Sequence, residues 1–189
     1  VRGTIFGALE RFSVMGIQII CTFIVARFLT PSDFGLVGLL IVFTVIGNTI
    51  VDSGFGQALV REKEVSDVEY SSVFYLNVFL SLIVYFLLFV SSGFIADFYK
   101  ESSLKNIARV TFLVIPLNAF AVVQNAVLVR NLDFKKIFVV SLCASILSCV
   151  LAIILAVLYR NVWALVFQNI FLYGFRSIFL WILSKWHPI

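Results

Sequence analysis

The 189-residue chain is 62% hydrophobic and only 13% charged, with a mean hydropathy of +1.10. Soluble domains carry about a quarter charged residues, so this composition excludes a soluble enzyme. It also makes the formal net charge of +4 a matter of two membrane faces rather than a nucleic-acid signal.

Apolar runs fill almost the whole chain. The core of a bilayer needs about 20 apolar residues per helix, and runs of that order lie near 12–29, 34–59, 70–96, 107–129, 137–158 and 162–183. The predicted fold class is all-α: a polytopic transmembrane bundle of six spans, forming one domain over 1–189. The connections are short and leave no room for a soluble catalytic domain. The chain opens on Val1 rather than Met, which reads as a trimmed N-terminus, and the first span lacks a small-x-small cleavage pattern.

Span one ends at Thr30-Pro31-Ser32-Asp33, where Pro31 stops one helix and Ser32 or Asp33 is expected to cap the next. Span two is rich in glycine (Gly35, Gly38, Gly47, Gly54, Gly56), which permits close backbone approach, and Gly54-Phe55-Gly56 is expected to loosen its end. Span four contains Pro116, which removes one backbone hydrogen bond and predicts a kink. Span five carries Ser141, Ser145 and Ser148 with Ala144 and Ala152, a small-residue stripe best read as helix packing. Cys21, Cys143 and Cys149 all fall inside spans and read as small packing residues; with His187 alone there is no metal constellation.

Arg2, Arg61, Lys63, Arg130, Lys135, Lys136 and Lys185 share one face, against Arg27, Lys100, Lys105 and Arg160 on the other. Basic loops stay cytoplasmic, so both termini are expected inside. The acidic run Glu62, Glu64, Asp67, Glu69 reads as a solvated loop. Tyr70, Tyr99, Tyr159, Trp163, Trp181 and Trp186, near span ends, fit interfacial anchoring.

Polar residues at bilayer depth are costly and face protein or a hydrated cavity. At helical spacing Arg11, Met15, Gln18 and Thr22 share a face of span one, with Glu10 beside them. Thr44, Asn48 and Asp52 align in span two, Asn77, Ser81 and Tyr85 in span three, and Asn169, Tyr173 and Arg176 in span six. Asp52 and Arg176 each lie about 10 Å from the same end of their spans, level with a belt that includes Glu10 and Arg11. Two readings stand. The belt is an internal salt-bridge network, with Asp52 paired to Arg11 or Arg176. Alternatively it is a cationic reception site for an anionic headgroup, since the planar guanidinium bonds two phosphate oxygens at once. There is no Ser/His/Asp set, no HExxH motif and no P-loop, so neither an enzyme nor a cofactor is indicated.

The segments ARFLTPSDFGLVGLL (26–40), DSGFGQALVREKE (52–64), SSVFYLNV (71–78), IADFYK (95–100), VQNAVLVRNLDFKK (123–136), VWALVFQ (162–168) and KWHP (185–188) together resemble the Wzx-type lipopolysaccharide and polysaccharide flippases of the multidrug/oligosaccharidyl-lipid/polysaccharide exporter superfamily. The resemblance implies the N-terminal six-helix lobe of a two-lobed exporter. Such a protein carries undecaprenyl-diphosphate-linked oligosaccharide from the inner to the outer leaflet of the bacterial inner membrane by alternating access. Its implied partners are the lipid-linked oligosaccharide, membrane lipid, the C-terminal lobe of the same protein and a glycan polymerase, with no nucleic acid. On that basis Arg11 and Arg176 would contact the diphosphate, Gln18, Asn48 and Tyr173 would line the polar path, and Glu10 and Asp52 would support the arginines or respond to coupling ions. The chain departs from the family's pattern at Tyr159-Arg160-Asn161, where a glycine-rich turn is usual and Asn161 is expected to take the left-handed conformation, and at Ser91-Ser92, where a proline is common. A cation-coupled drug exporter, a non-transporting scaffold and an integral glycosyltransferase are the rival readings.

Overall fold

The computed structural model describes residues 2–52, 55–61 and 65–189. Among the described residues there is no strand, and the helices are α1 (Arg2–Val25), α2 (Pro31–Asp52), α3 (Phe55–Arg61), α4 (Asp67–Tyr99), α5 (Leu104–Thr111), α6 (Val114–Arg130), α7 (Phe134–Tyr159) and α8 (Trp163–Ser184). With α5 and α6 taken as one span, six helical segments are long and apolar enough to cross a membrane, as the composition requires. An even number of crossings puts the start of α1, the ends of α2 and α6, the starts of α4 and α7 and the end of α8 on one face. The α1–α2, α4–α5 and α7–α8 turns lie on the opposite face.

Local chemistry sets the boundaries. Thr30, not Ser32, caps α2. Its hydroxyl accepts the Asp33 N–H at 3.4 Å, while the Asp33 carboxylate accepts the Thr30 N–H at 2.9 Å, the reciprocal pattern of a capping box. Pro31 then stands at the first helical position, where its missing N–H costs nothing. A second capping box, Ser66 with Glu69, starts α4. Arg160 takes the left-handed conformation (φ 49°) at the end of α7. Asn161 does not; its side-chain Oδ1 accepts the Trp163 N–H at 3.1 Å instead, the Asx turn by which a short amide takes the backbone N–H two residues on.

The fourth span breaks one turn before Pro116. The proline cannot donate to the Phe112 carbonyl, and that carbonyl accepts from Ile115 at 3.0 Å in a tighter i→i+3 bond. Phe112 sits at the break, fully buried and edge-on to Phe43. The apolar run 34–59 also divides, since α2 stops at Asp52 and α3 is a separate short helix packed on α6. Gly56 allows that approach, for a Cβ there would stand 3.1 Å from Val122 Cγ1. Gly54, and the acidic residues Glu62 and Glu64, lie outside the described residues, as do Val1 and Lys63.

Helix α6 is the axis of the bundle, packed against α2, α3, α4, α7 and α8. Helix α1 lies at the periphery and packs chiefly on α7. Small residues make that seam: Ala152 and Ala156 are fully buried with Cys21 and Val25, and the Ser141 hydroxyl donates to Glu10 Oε1 at 2.6 Å. Not every polar stripe lines one of the two cavities described below. Asn77 and Ser81 of α4 are fully buried, and the Ser81 hydroxyl is turned back to the Val78 carbonyl. Arg109 is likewise tied into the fold, donating to Ser92 Oγ at 3.0 Å and lying over the Phe89 ring. Beyond α8, Trp186 packs on Tyr70 and Phe74 and donates to Asp67, so these aromatics form a packed cluster with Trp181.

Candidate functional site: two polar cavities between the helices

Two cavities lie at different depths. The larger, about 790 Å³, is an open cavity lined by the end of α2, α3, one face of α6 from Asn118 to Val129, and α8. Its polar lining is Thr49, Asp52, Gln57, Asn118, Asn125 and Arg176, set among Gly56, Val60, Ala121, Val122, Ala126 and Val129. The smaller, about 250 Å³, lies between the second half of α1, the first half of α2, the middle of α7 and the first half of α8. Gln18, Thr22, Ser145, Ser148, Gln168 and Asn169 supply its polar groups, with Cys21 and Cys149. Among the described residues, no charged side chain lines it.

The helical period explains why α6 presents one wall of the larger cavity. Asn118, Ala121, Val122, Asn125, Ala126 and Val129 recur at the three- and four-residue spacing that keeps side chains on one face. The two asparagines form one polar stripe on α6, whose other polar residues are the buried Gln124 and the terminal Arg130. Asn118 is held in place by its Nδ2, which donates to Asn48 Oδ1 at 3.3 Å across the α2–α6 contact.

Of the residues singled out from sequence, Asp52 and Arg176 share the wall of the larger cavity. The two are not in direct ion-pair contact; among the described residues that geometry joins Lys136 and Asp133 at 2.6 Å. The Arg176 Nε is shielded from solvent and has no hydrogen-bond partner, and the same is true of Asn125 Oδ1. Asn48 stands behind Asn118. Gln18 lines the smaller cavity. Tyr173 is half-buried on α8, between the depths of the two cavities, and lines neither. Glu10 is engaged by Ser141 at the α1–α7 seam. Arg11 is exposed on α1 and lines neither cavity. The belt is therefore distributed over three places rather than gathered in one cluster.

Thr49, Gln57, Asn118, Asn125 and Gln168 complete the polar lining, and sequence reasoning did not single them out. The seven-residue interval between Asn118 and Asn125 was the available signal, since it returns to the same helical face. No group of three or more His, Cys, Asp or Glu suited to a metal ion occurs among the described residues.

The chain is similar to the succinoglycan biosynthesis transport protein ExoT of Rhizobium meliloti, at 27% identity over 99% of this chain and 38% of that protein. It is also similar to the lipopolysaccharide biosynthesis protein WzxC of Escherichia coli, at 25% identity over 72% of this chain and 28% of that protein. The teichuronic acid biosynthesis protein TuaB of Bacillus subtilis is 25% identical over 78% of this chain and 31% of its own length. The chain thus spans well under half the length of these curated relatives. No solved structure matches it significantly. A family model described as polysaccharide biosynthesis protein matches residues 24–189, from the end of α1 through every later span, and the chain belongs to that family.

Proposed function

We propose that this chain is a six-helix lobe of a flippase that moves undecaprenyl-diphosphate-linked oligosaccharide from the inner to the outer leaflet of a bacterial inner membrane. The observation that carries the reading is an open polar cavity of about 790 Å³ between apolar helices, in a chain whose relatives are named for succinoglycan biosynthesis transport, lipopolysaccharide biosynthesis and teichuronic acid biosynthesis. A lipid-linked glycan has two solvents. Its tail remains in hydrocarbon, and only the headgroup needs a polar route. Asp52, Arg176 and Asn48 lie along such a route on one side, and Gln18 with Asn169 continues it toward the other face. Tyr173 stands between them on α8, and Glu10 holds α1 to α7. Arg11, exposed on α1, offers a cation where the headgroup enters from the cytoplasm. Both ends of the lobe lie inside, a second lobe completes the route, and alternation between the lobes moves the substrate.

Expression of the full-length protein in a strain lacking its own flippase is expected to restore surface polysaccharide. The Arg11→Ala/Arg176→Ala double variant is expected to abolish that export while reaching wild-type levels in the membrane. Failure of the wild-type protein to restore export overturns the function, and normal export by the double variant overturns the residue assignment.

A further inference from the structure

We propose that the larger cavity is a sugar subsite, in which Asp52, Asn125 and Arg176 take hydroxyl groups of the oligosaccharide while the diphosphate remains outside. The source of the glycan rests on the flippase reading; the chemical class of the ligand rests on the cavity itself.

Charge is the first ground. Among the described residues the polar lining holds one arginine and one carboxylate, whose formal charges cancel, and a diphosphate entering it would meet Asp52 as well as Arg176. Hydrogen-bonding capacity is the second. An ionised carboxylate accepts and cannot donate, so Asp52 calls for a ligand that brings donors. Asn125 Oδ1 is a shielded acceptor without a partner, and Arg176 Nε a shielded donor without one. A diphosphate brings acceptors alone. A sugar hydroxyl both donates and accepts, and adjacent hydroxyls on one ring do so side by side. Turning the Asn125 amide over would exchange its donor and acceptor ends but leave Asp52 unchanged. The remaining groups, Thr49, Gln57 and Asn118, also combine donor and acceptor in one side chain. The volume of about 790 Å³ falls within the roughly 300–1,000 Å³ of sites that enclose small organic ligands. The diphosphate has another cation available in Arg11, which stands outside both cavities.

The test is protection of a cavity cysteine in the full chain, reconstituted in lipid. Thr49→Cys places a thiol on the cavity wall once native Cys21, Cys143 and Cys149 are replaced by alanine. Gln57→Cys, at the same cavity, serves if Thr49→Cys fails to assemble. Maleimide labelling is timed against two probes: the oligosaccharide released by mild acid from the host's own lipid carrier, and inorganic pyrophosphate. The oligosaccharide is expected to slow labelling at least about fivefold, and Asp52→Asn to weaken that protection by a similar factor. Pyrophosphate is expected to leave the rate unchanged in both backgrounds. Protection by pyrophosphate, or by neither probe, overturns the proposal, as does an Asp52→Asn variant with undiminished oligosaccharide protection. A protein that is protected by oligosaccharide yet fails to restore export keeps this inference and loses the flippase reading.

Discussion

Helices α1 and α6 are both apolar and both long enough to belong to membrane spans, yet they sit in opposite surroundings. In the most apolar window of the α5–α6 span 61% of residues are buried by protein, against 11% in α1. Lipid is as apolar as leucine, so apolarity alone draws neither helix into the bundle; packing and interhelical hydrogen bonds do. Helix α6 satisfies this on all sides, and the larger cavity is cut into a wall that cannot shift cheaply. Helix α1 satisfies it along one seam with α7, and the smaller cavity opens beside that seam. For the transporter lobe proposed above, α6 would supply a fixed wall for recognition and α1 a lightly held helix.

The comparison breaks first at the α2–α4–α6 contact. A Cβ at Gly47 would stand 2.5 Å from Ile115 Cδ1 and 3.3 Å from Val84 Cγ1, and Ile115 is fully buried at the Pro116 break. Gly47→Leu is therefore expected to cost about 3 kcal/mol, at the upper end of overpacking penalties. Reversible unfolding in mixed micelles would register this as loss of the whole bundle. An unchanged transition would mean that α6 is not the fixed element described.

A smaller and more local loss is expected at the seam. Ala152, fully buried among Cys21, Val25 and Ala164, becomes too large as leucine. Ala152→Leu is expected to cost about 1–2 kcal/mol and to expose Cys21, whose thiol is wholly buried in the native protein. Faster maleimide labelling of Cys21, with helix content retained by circular dichroism, separates this outcome from that of Gly47→Leu. Labelling of Cys21 no faster than in wild type would show that α1 is held by more than the seam.

Much of this contrast is legible in the sequence, for stated reasons. Twenty apolar residues declare a span whatever surrounds them. Pro116 declares the break before it, because the lost donor is a property of the residue. Ser141, Ser145 and Ala152 declare close helix approach, because small side chains permit little else. What the sequence withholds is which faces meet. The spacing of Asn77 and Ser81 looks as hydrated as that of Asn48 and Asp52, but the first pair is buried against protein, while Asp52 lines a cavity and Asn48 stands behind its Asn118. Arg11 and Arg176 share a depth along their helices and differ in surroundings, since periodicity orders residues around one axis and says nothing of the neighbouring axis. Turn chemistry was legible only in kind: a cap at Thr30–Asp33 and a left-handed residue at 159–161 were both expected, each one or more positions from where the backbone placed it.

That last displacement supports the smallest expected effect. Lys100, Leu132, Arg160 and Lys185 all end helices with positive φ, a role glycine fills without a Cβ penalty. Leu132 is the clearest of them, at φ 56° and 73% exposed, with the Asp133 N–H bonded back to the Leu128 carbonyl at 3.0 Å. Its side chain has little packing to lose, and left-handed backbone costs a non-glycine residue about 1 kcal/mol. Leu132→Gly is expected to recover most of that strain, set against the larger backbone entropy of glycine in the unfolded chain, for a net gain of about 0.5 kcal/mol. Because the turn joins α6 to α7, the gain belongs to the central part of the bundle. It is expected as a small rise in the midpoint of global unfolding with Cys21 labelling unchanged; a fall in that midpoint would show that the Leu132 side chain packs more tightly than its exposure indicates.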